Sequence, residues 1–141
     1  MKILIPTDGS QYSTRAIDEA AKLARFVPKL EVVLLNVRDG PLLYGNWPYL
    51  DADTIEAAQT ARQDAILAEA QELIKTGGMQ VASTERAAGP AAPEIVRVAS
   101  EHNVDQIVMG TRGLGSYTGA LLGSVAQGVA QLSPVPVVLV K

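Results

Sequence analysis

The residues with the clearest chemical potential are glycines. Six of the twelve glycines fall between residues 110 and 128, within the pattern Gly110-x2-Gly113-x9-Gly123-Ser124. A glycine-rich loop between a strand and a helix lets backbone N–H groups turn inward around an anion, and the dipole of the helix start adds to the attraction. The pattern therefore predicts a phosphate-binding loop with Gly123-Ser124 at the start of a helix.

This loop differs from the two better-known phosphate binders. A P-loop requires a lysine directly before its Ser or Thr, whereas the residue directly before Ser124 is Gly123. The dinucleotide fingerprint follows the first strand of its fold, whereas this loop follows the fourth, and Gly113-x-Gly115-x3-Gly119 is one residue too long. A packing role is the alternative, because Gly115, Gly119 and Gly123 are four residues apart and would share one face of a helix.

A second polar cluster, Pro6-Thr7-Asp8-Gly9-Ser10, directly follows the first apolar run. Asp8 stands where the chain turns into a helix, Gly9 permits a tight backbone, and Ser10 can cap the helix. In an open α/β sheet, ligands bind at such carboxyl ends of strands. The alternative is that Asp8 and Ser10 serve only as turn and cap residues, which is a common use of both residue types.

Catalytic machinery is sparse in these motifs. Asp8 is their one acid, and no second acid of the kind that holds a metal ion in nucleotide hydrolases can be identified. The G-x-S-x-G nucleophile motif does not occur. The lone histidine, His102, falls at a predicted helix end, where an imidazolium interacts favourably with the helix dipole, and we interpret it as structural. We expect at most a weak ATPase, with no assigned catalytic residue.

Composition narrows the class of protein further. The chain has 141 residues, 48% hydrophobic and 19% charged, with net charge −3, no cysteine and a pI near 5.1. These values exclude intrinsic disorder, zinc fingers, thiol catalysis and disulfide frameworks, and the acidic pI argues against nucleic-acid binding. No apolar run reaches the roughly 20 residues of a membrane span. We expect one soluble, cytoplasmic domain over residues 1–141, without nucleic-acid or membrane partners.

Short apolar runs alternate with helical patterns along the chain. Several runs are continuously apolar, as in strands that are covered on both faces. Strict alternation of strand and helix indicates βαβ units and therefore a three-layer α/β domain with an open parallel sheet. The predicted strands are Lys2–Thr7, Leu30–Val37, Gln80–Arg86, Gln106–Met109 and Val135–Val140, and the predicted helices are Ser10–Val27, Asp53–Lys75, Pro93–His102 and Gly123–Leu132.

One connection is unusually long and aromatic. The segment from Arg38 to Leu50 holds Tyr44, Trp47 and Tyr49. Loops of this length are usually functional or mobile. The segment is interpreted either as a packed surface loop with aromatic anchors or as a lid over the strand ends.

The quoted motifs, with Gly89-Pro90 and Val135-Pro136-Val137, resemble the universal stress protein family over essentially the whole chain. The glycine spacing is that of the family's ATP-binding branch. The resemblance implies five parallel strands in order 3-2-1-4-5, a Rossmann-like arrangement, with ATP across the ends of strands one and four. It also implies a cytoplasmic homodimer paired through the last strand, Val135–Val140, which is a hydrophobic edge-strand candidate.

The resemblance also implies roles for individual residues. Asp8 would meet the adenine or ribose side, and Val37 would contact adenine through its backbone. The motif glycines and Ser124 would hold the phosphates and the ribose. The predicted site comprises Pro6, Thr7, Asp8, Val37, Met109, Gly110, Arg112, Gly113, Gly123, Ser124 and Val125.

Three functions follow from these observations. The first is an ATP-binding regulatory module of the universal stress type. ADP and AMP stay open as ligands because they share the adenosine contacts, and an accompanying Mg²⁺ stays open as well. The second is a slow ATPase or nucleotidyl-transferring enzyme that uses Asp8. The third is a nucleotide-free dimeric interaction protein in which the glycines serve packing.

Overall fold

Strands and helices alternate strictly in the computed structural model, which describes residues 1–40, 51–115 and 121–141. The five predicted strands and four predicted helices are all present. The strands are β1 (Lys2–Pro6), β2 (Glu31–Arg38), β3 (Gln80–Ala88), β4 (Gln106–Gly110) and β5 (Val137–Val140), and the helices are α1 (Gln11–Ala24), α2 (Ala52–Thr76), α3 (Ala91–Glu101) and α4 (Ser124–Leu132).

The strands form one parallel sheet in the order β3-β2-β1-β4-β5. This confirms the predicted fold class and the predicted strand order. From β1 the chain adds β2 and β3 on one side, and then β4 and β5 on the other. The winding direction therefore changes between β1 and β4, and in open sheets a crevice forms at the carboxyl ends of the two strands flanking that switch.

The hydrophobic core lies on both faces of the sheet because helices cover both faces. Strand β1 lies in the middle of the sheet and contributes side chains to both halves of the core. Ile3 and Ile5 pack with α1 and α2, whereas Leu4 packs with α3 and α4. All three side chains are fully buried. Successive side chains of a strand point to opposite faces, so a strand covered on both sides must be continuously apolar. That physical requirement is why the apolar runs predicted the central strands.

Most predicted boundaries differ from the structure by one or two residues, and the end of α1 differs by three. Helix α1 ends at Ala24 rather than Val27. The last strand begins at Val137 rather than Val135, because Ser133 forms a local turn in which its Oγ accepts from the Val135 N–H (3.2 Å) and donates to the Val135 carbonyl (2.7 Å). Strand β5 lies at the edge of the sheet, with Val138 41% exposed.

The helices begin in two different ways. Ser10 caps α1, its Oγ accepting from the Ser13 N–H at 3.3 Å, and Asp51 caps α2 by accepting from the Thr54 N–H at 2.6 Å. The latter hydrogen bond lowers the pKa of the Asp51 carboxyl. Helices α3 and α4 follow Pro90 and Gly123, which provide no side-chain cap. Helix α4 therefore starts with first-turn N–H groups that no side chain of its own N-cap satisfies.

Close packing of α3 against α4 depends on Gly128. A Cβ at Gly128 would lie 2.7 Å from the Cβ of Ala92, a distance that real side chains do not tolerate. By contrast, a Cβ at Gly115 would meet none of the described residues within 4 Å, and one at Gly123 would make ordinary contacts. Among the described residues, neither Gly115 nor Gly123 makes the close contact that the packing interpretation requires, and Gly119 lies outside the described residues. The glycine that does serve packing is Gly128, which was not part of that interpretation.

No helix in the described ranges combines the length and the apolar character of a membrane span.

Candidate functional site

The carboxyl ends of β1, β2 and β4 and the starts of α3 and α4 surround a cleft of about 390 Å³, referred to below as the strand-end cleft. A volume of this size suits a small-molecule ligand. The structure brings all eleven residues of the predicted site to its walls: Pro6, Thr7, Asp8, Val37, Met109, Gly110, Arg112, Gly113, Gly123, Ser124 and Val125.

The strand-end cleft also contains residues that the sequence analysis missed: Ser13, Leu35, Asp39, Ala91, Ile95, Thr111, Leu114, Gly115 and Ala126. Thr111, Leu114 and Gly115 stand inside the glycine pattern, so their position in the chain could have found them. Ala91 and Ile95 had no such signal, because they belong to a helix whose start faces the cleft only after the sheet has formed.

Asp8 joins the two sides of the strand-end cleft. Its Oδ1 accepts from the Ser10 N–H at 2.9 Å and from the Ser13 Oγ at 3.4 Å, within the turn between β1 and α1. Its Oδ2 accepts from the Leu114 N–H at 3.0 Å, in the glycine-rich loop. Asp8 is therefore a turn residue, as the alternative interpretation proposed, and also a link between the first and fourth strand ends.

Gly113 is the position at which the glycine-rich loop meets that carboxylate. A Cβ on Gly113 would overlap the Oδ2 of Asp8. The carboxylate cannot simply rotate away, because the Ser10 and Leu114 N–H groups hold it. The absence of a side chain at Gly113 thus allows the loop to bring the Leu114 N–H within hydrogen-bonding distance.

We expect Asp8→Asn to loosen the loop. The Asn oxygen can satisfy the Ser10 N–H, but the NH₂ group would then face the Leu114 N–H, so one hydrogen bond to a charged acceptor is lost. The free energy of unfolding should fall by about 1 to 2 kcal/mol, and the Leu114 amide resonance should move upfield in ¹H–¹⁵N NMR spectra.

Asp39→Asn is the matched control for this variant. Asp39 lines the same cleft, and its side chain makes no hydrogen bond within the described residues. The control removes the same charge but should change stability by less than about 0.5 kcal/mol. Equal effects of the two substitutions would show that charge, and not the Asp8–Leu114 hydrogen bond, is responsible.

The start of α4 faces the strand-end cleft from the opposite side. Gly123 is extended (φ −70°, ψ 164°), and its N–H donates to the Thr111 carbonyl at 2.7 Å, which ties the helix start to the end of β4. Ser124, Val125 and Ala126 follow it and line the cleft. Uncapped N–H groups and the positive end of the helix dipole make this an anion-binding position.

The remaining walls of the strand-end cleft divide by polarity. Leu35, Val37, Ile95 and Met109 form an apolar side. Arg112 lies near the start of α4 and adds a positive charge to the polar side. An apolar slot beside an anion-binding helix start is chemically suited to a ligand with a flat apolar part and a negatively charged part.

Other predicted features lie away from this cleft or beyond the described residues. His102 is the C-cap of α3, with its Nε2 3.1 Å from the Glu85 Oε1, and does not line the cleft. Of the aromatic segment from Arg38 to Leu50, residues 41–50 lie outside the described residues. In residues 1–40, 51–115 and 121–141, no group of three or more His, Asp or Glu side chains has the arrangement of a metal site.

Comparisons with known proteins agree with this architecture. A model of the universal stress protein family matches residues 1–141. Universal stress protein YxiE of Bacillus subtilis is 34% identical over 149 aligned positions, covering 99% of this chain and 98% of that protein. Universal stress protein MJ0531 of Methanocaldococcus jannaschii is also 34% identical, over 145 positions that cover 99% of this chain and 81% of that protein.

Two solved structures extend the comparison to three dimensions. Hypothetical protein MJ0577 superposes with a TM-score of 0.85 at 28% identity, covering 99% of this chain and 94% of that chain. A universal stress protein in complex with cAMP superposes with a TM-score of 0.74 at 28% identity, covering 100% and 97%. With the family match over all 141 residues and relatives 34% identical over nearly all of it, the chain belongs to the universal stress protein family.

Proposed function

We propose that this protein is a regulatory module that binds an adenine nucleotide, with ATP as the leading ligand, in the strand-end cleft. The observation that carries the proposal is the pairing of an apolar slot with an uncapped helix start inside one cleft. The base would lie against Val37 and Met109, and the phosphates would lie at Gly123 and Ser124. Both groups would then meet surfaces of matching polarity.

Family relationships support an adenine nucleotide. The universal stress protein solved with cAMP is 28% identical to this chain and shares its fold. Adenosine is common to cAMP, AMP, ADP and ATP, so its base contacts would serve all of them. The proposal names ATP in particular for two reasons. The glycine-rich wall of the cleft extends from Gly110 to Gly115, and Arg112 adds a positive charge to it.

The surroundings of Asp8 favour a binding role over catalysis. Both of its oxygens already accept hydrogen bonds from the protein. A general base must reach the proton that it removes, and a carboxylate engaged in this way is poorly placed to do so. In this proposal, Asp8 therefore holds the glycine-rich loop in place. A slow ATPase is the second candidate function.

The homodimer and the cytoplasmic location implied by the family resemblance are part of the same proposal. Strand β5 is at the edge of the sheet and Val138 is exposed, as a strand that pairs with a second copy would be. Light scattering of the purified protein at micromolar concentration tests this pairing, and a monomer would contradict it.

The decisive experiment is to denature freshly purified protein and to identify any released nucleotide by chromatography and mass spectrometry. We expect an adenine nucleotide at close to one per chain, and ATP if the triphosphate is the physiological ligand. Recovery of ADP together with phosphate release from added ATP would favour the ATPase instead. Protein that is empty and fails to bind ATP, ADP or AMP at low salt would contradict the proposal.

A further inference from the structure

The backbone pairing of β1 with β2 lacks the last hydrogen bond that a regular parallel ladder would form. It ends with Pro6 opposite Leu35, and the last hydrogen bond runs from the Thr7 N–H to the Leu35 carbonyl at 2.8 Å. In a parallel ladder the next bond would run from the Val37 N–H to the Thr7 carbonyl. Within the described residues, that bond is not made.

A side chain takes the place of that missing bond. The Nδ2 of Asn36 donates to the Thr7 carbonyl at 2.8 Å. Asn36 is only 5% exposed, so this is a buried hydrogen bond that satisfies a buried carbonyl. The Thr7 carbonyl therefore does not need the Val37 N–H.

The backbone groups of Val37 consequently point into the gap between β1 and β2. The neighbouring Arg38 carbonyl accepts from the Gly89 N–H at 2.9 Å, on the β3 side of the strand. Successive residues of a strand direct their N–H and C=O groups to alternate sides, so those of Val37 face β1. Val37 lines the strand-end cleft, where its donor and acceptor are available to a ligand.

A second buried amide binds the backbone carbonyls of β2 and β3 rather than the side chain of Asn36. The Nε2 of Gln63, on α2, donates to the Asn36 carbonyl at 3.1 Å and to the Ala87 carbonyl at 3.0 Å. Gln63 is 4% exposed. A polar side chain buried this deeply is costly unless it is hydrogen-bonded. Gln63 therefore joins the ends of β2 and β3, while the Asn36 side chain separately joins β2 to β1.

We propose that Asn36 is a positioning residue for base recognition: it occupies the Thr7 carbonyl and so leaves the Val37 backbone open to the edge of the base. Adenine presents a ring acceptor next to an amino donor, which matches one N–H and one C=O. Asn36 itself touches no ligand and acts through Val37. This inference rests on the proposed function but adds a residue and a mechanism to it.

The first test needs no nucleotide. In Asn36→Leu, which is similar in size but has no donor, the orphaned Thr7 carbonyl should capture the Val37 N–H. Amide hydrogen exchange at Val37, followed by NMR in the ligand-free protein, should then slow by at least about tenfold. Unchanged exchange at Val37 in a folded Asn36→Leu variant would overturn the proposal.

The wild-type protein gives an independent check if Asn36→Leu does not fold. A through-hydrogen-bond NMR coupling between the Asn36 side-chain nitrogen and the Thr7 carbonyl carbon should be present. The Val37 amide should exchange faster than the Leu35 amide, because Leu35 is paired with both β1 and β3. Absence of the coupling, or strong protection of Val37, would overturn the proposal.

The second test separates base recognition from phosphate binding. Asn36→Leu should weaken AMP binding by about tenfold, the equivalent of one to two lost hydrogen bonds, and should leave ribose 5-phosphate binding unchanged. Gln63→Leu is the matched control: it also deletes a buried amide and lowers stability, but it leaves Asn36 at the Thr7 carbonyl, so AMP binding should be retained.

The outcomes distinguish this inference from the proposed function. Equal loss of AMP binding in both variants would assign the effect to general destabilisation and overturn the positioning role. Wild-type protein that binds neither AMP nor ATP would overturn the proposed function and the base-recognition part of this inference. The Val37 exchange experiment would still decide whether Asn36 keeps the strand gap open.

Discussion

Gly123→Val should abolish most nucleotide binding while leaving the fold intact. Gly123 has φ −70° and ψ 164°, an extended conformation that valine adopts readily. Its Cβ would meet the Thr111 carbonyl at 3.4 Å and the Arg112 Cα at 3.6 Å, both ordinary contacts. We therefore expect the free energy of unfolding to change by less than about 1 kcal/mol.

The effect on binding should be much larger, because the branched side chain would stand in front of the first N–H groups of α4. Phosphates would be kept from the helix start and its dipole. We expect the affinity for ATP and AMP to fall about 100-fold, equivalent to about 2.7 kcal/mol. Isothermal titration calorimetry measures the affinity, and urea unfolding measures the stability.

Gly115→Ala is the control for Gly123→Val. It adds a side chain to the same loop at a position with no described residue within 4 Å, so stability should stay close to that of the wild type. If Gly123→Val lowered stability strongly and left nucleotide affinity unchanged, the glycine would serve packing. The nucleotide-free interaction protein would then be the better description.

Gly110→Ala should have the largest effect on stability. A Cβ at Gly110 would lie 2.7 Å from the Cβ of Tyr12 and 3.0 Å from the backbone carbon and oxygen of Tyr12. Backbone atoms of α1 cannot rotate aside as the end of a side chain can, so α1 and the end of β4 would have to separate. We expect a loss of about 3 kcal/mol in the free energy of unfolding, at the upper end of overpacking effects.

Urea unfolding monitored by circular dichroism measures this loss, with Gly115→Ala as the unstrained glycine-to-alanine control in the same loop. A further consequence is structural: because Gly110 ends β4 beside the cleft, nucleotide affinity should fall together with stability. A Gly110→Ala variant as stable as Gly115→Ala would contradict the close approach of α1 to β4.

The fold class was predicted from the sequence for physical reasons that are local to each element, whereas the strand order was implied by the resemblance to the family. Strand β1 is covered on both faces, so Ile3, Leu4 and Ile5 must all be apolar, and this run is visible without any structure. Boundaries were less accurate. The Ser133 turn that delays β5 to Val137 depends on one side-chain hydroxyl, which carries no periodic signal.

Membership of the candidate site was also largely predictable. Carboxyl ends of parallel strands meet at one edge of the sheet, so polar residues and glycines that follow β1 and β4 must come together. This is why Asp8, Gly113 and Gly123 line one cleft with the other predicted residues. The spacing of the glycines, which resembles that of the family's ATP-binding branch, added the expectation of a nucleotide. The proposed experiments test that expectation.

The roles of these residues were decided by the tertiary structure. The Asp8 carboxylate accepts a hydrogen bond from the Leu114 N–H, 106 residues away in the sequence. The Asn36 side chain donates to the Thr7 carbonyl, 29 residues away in the sequence. Sequence determined which segments are strands and helices, because hydrophobic periodicity is a property of neighbouring residues. It did not determine which donor finds which acceptor, because a hydrogen bond depends on tenths of an ångström between segments that only the packed sheet brings together.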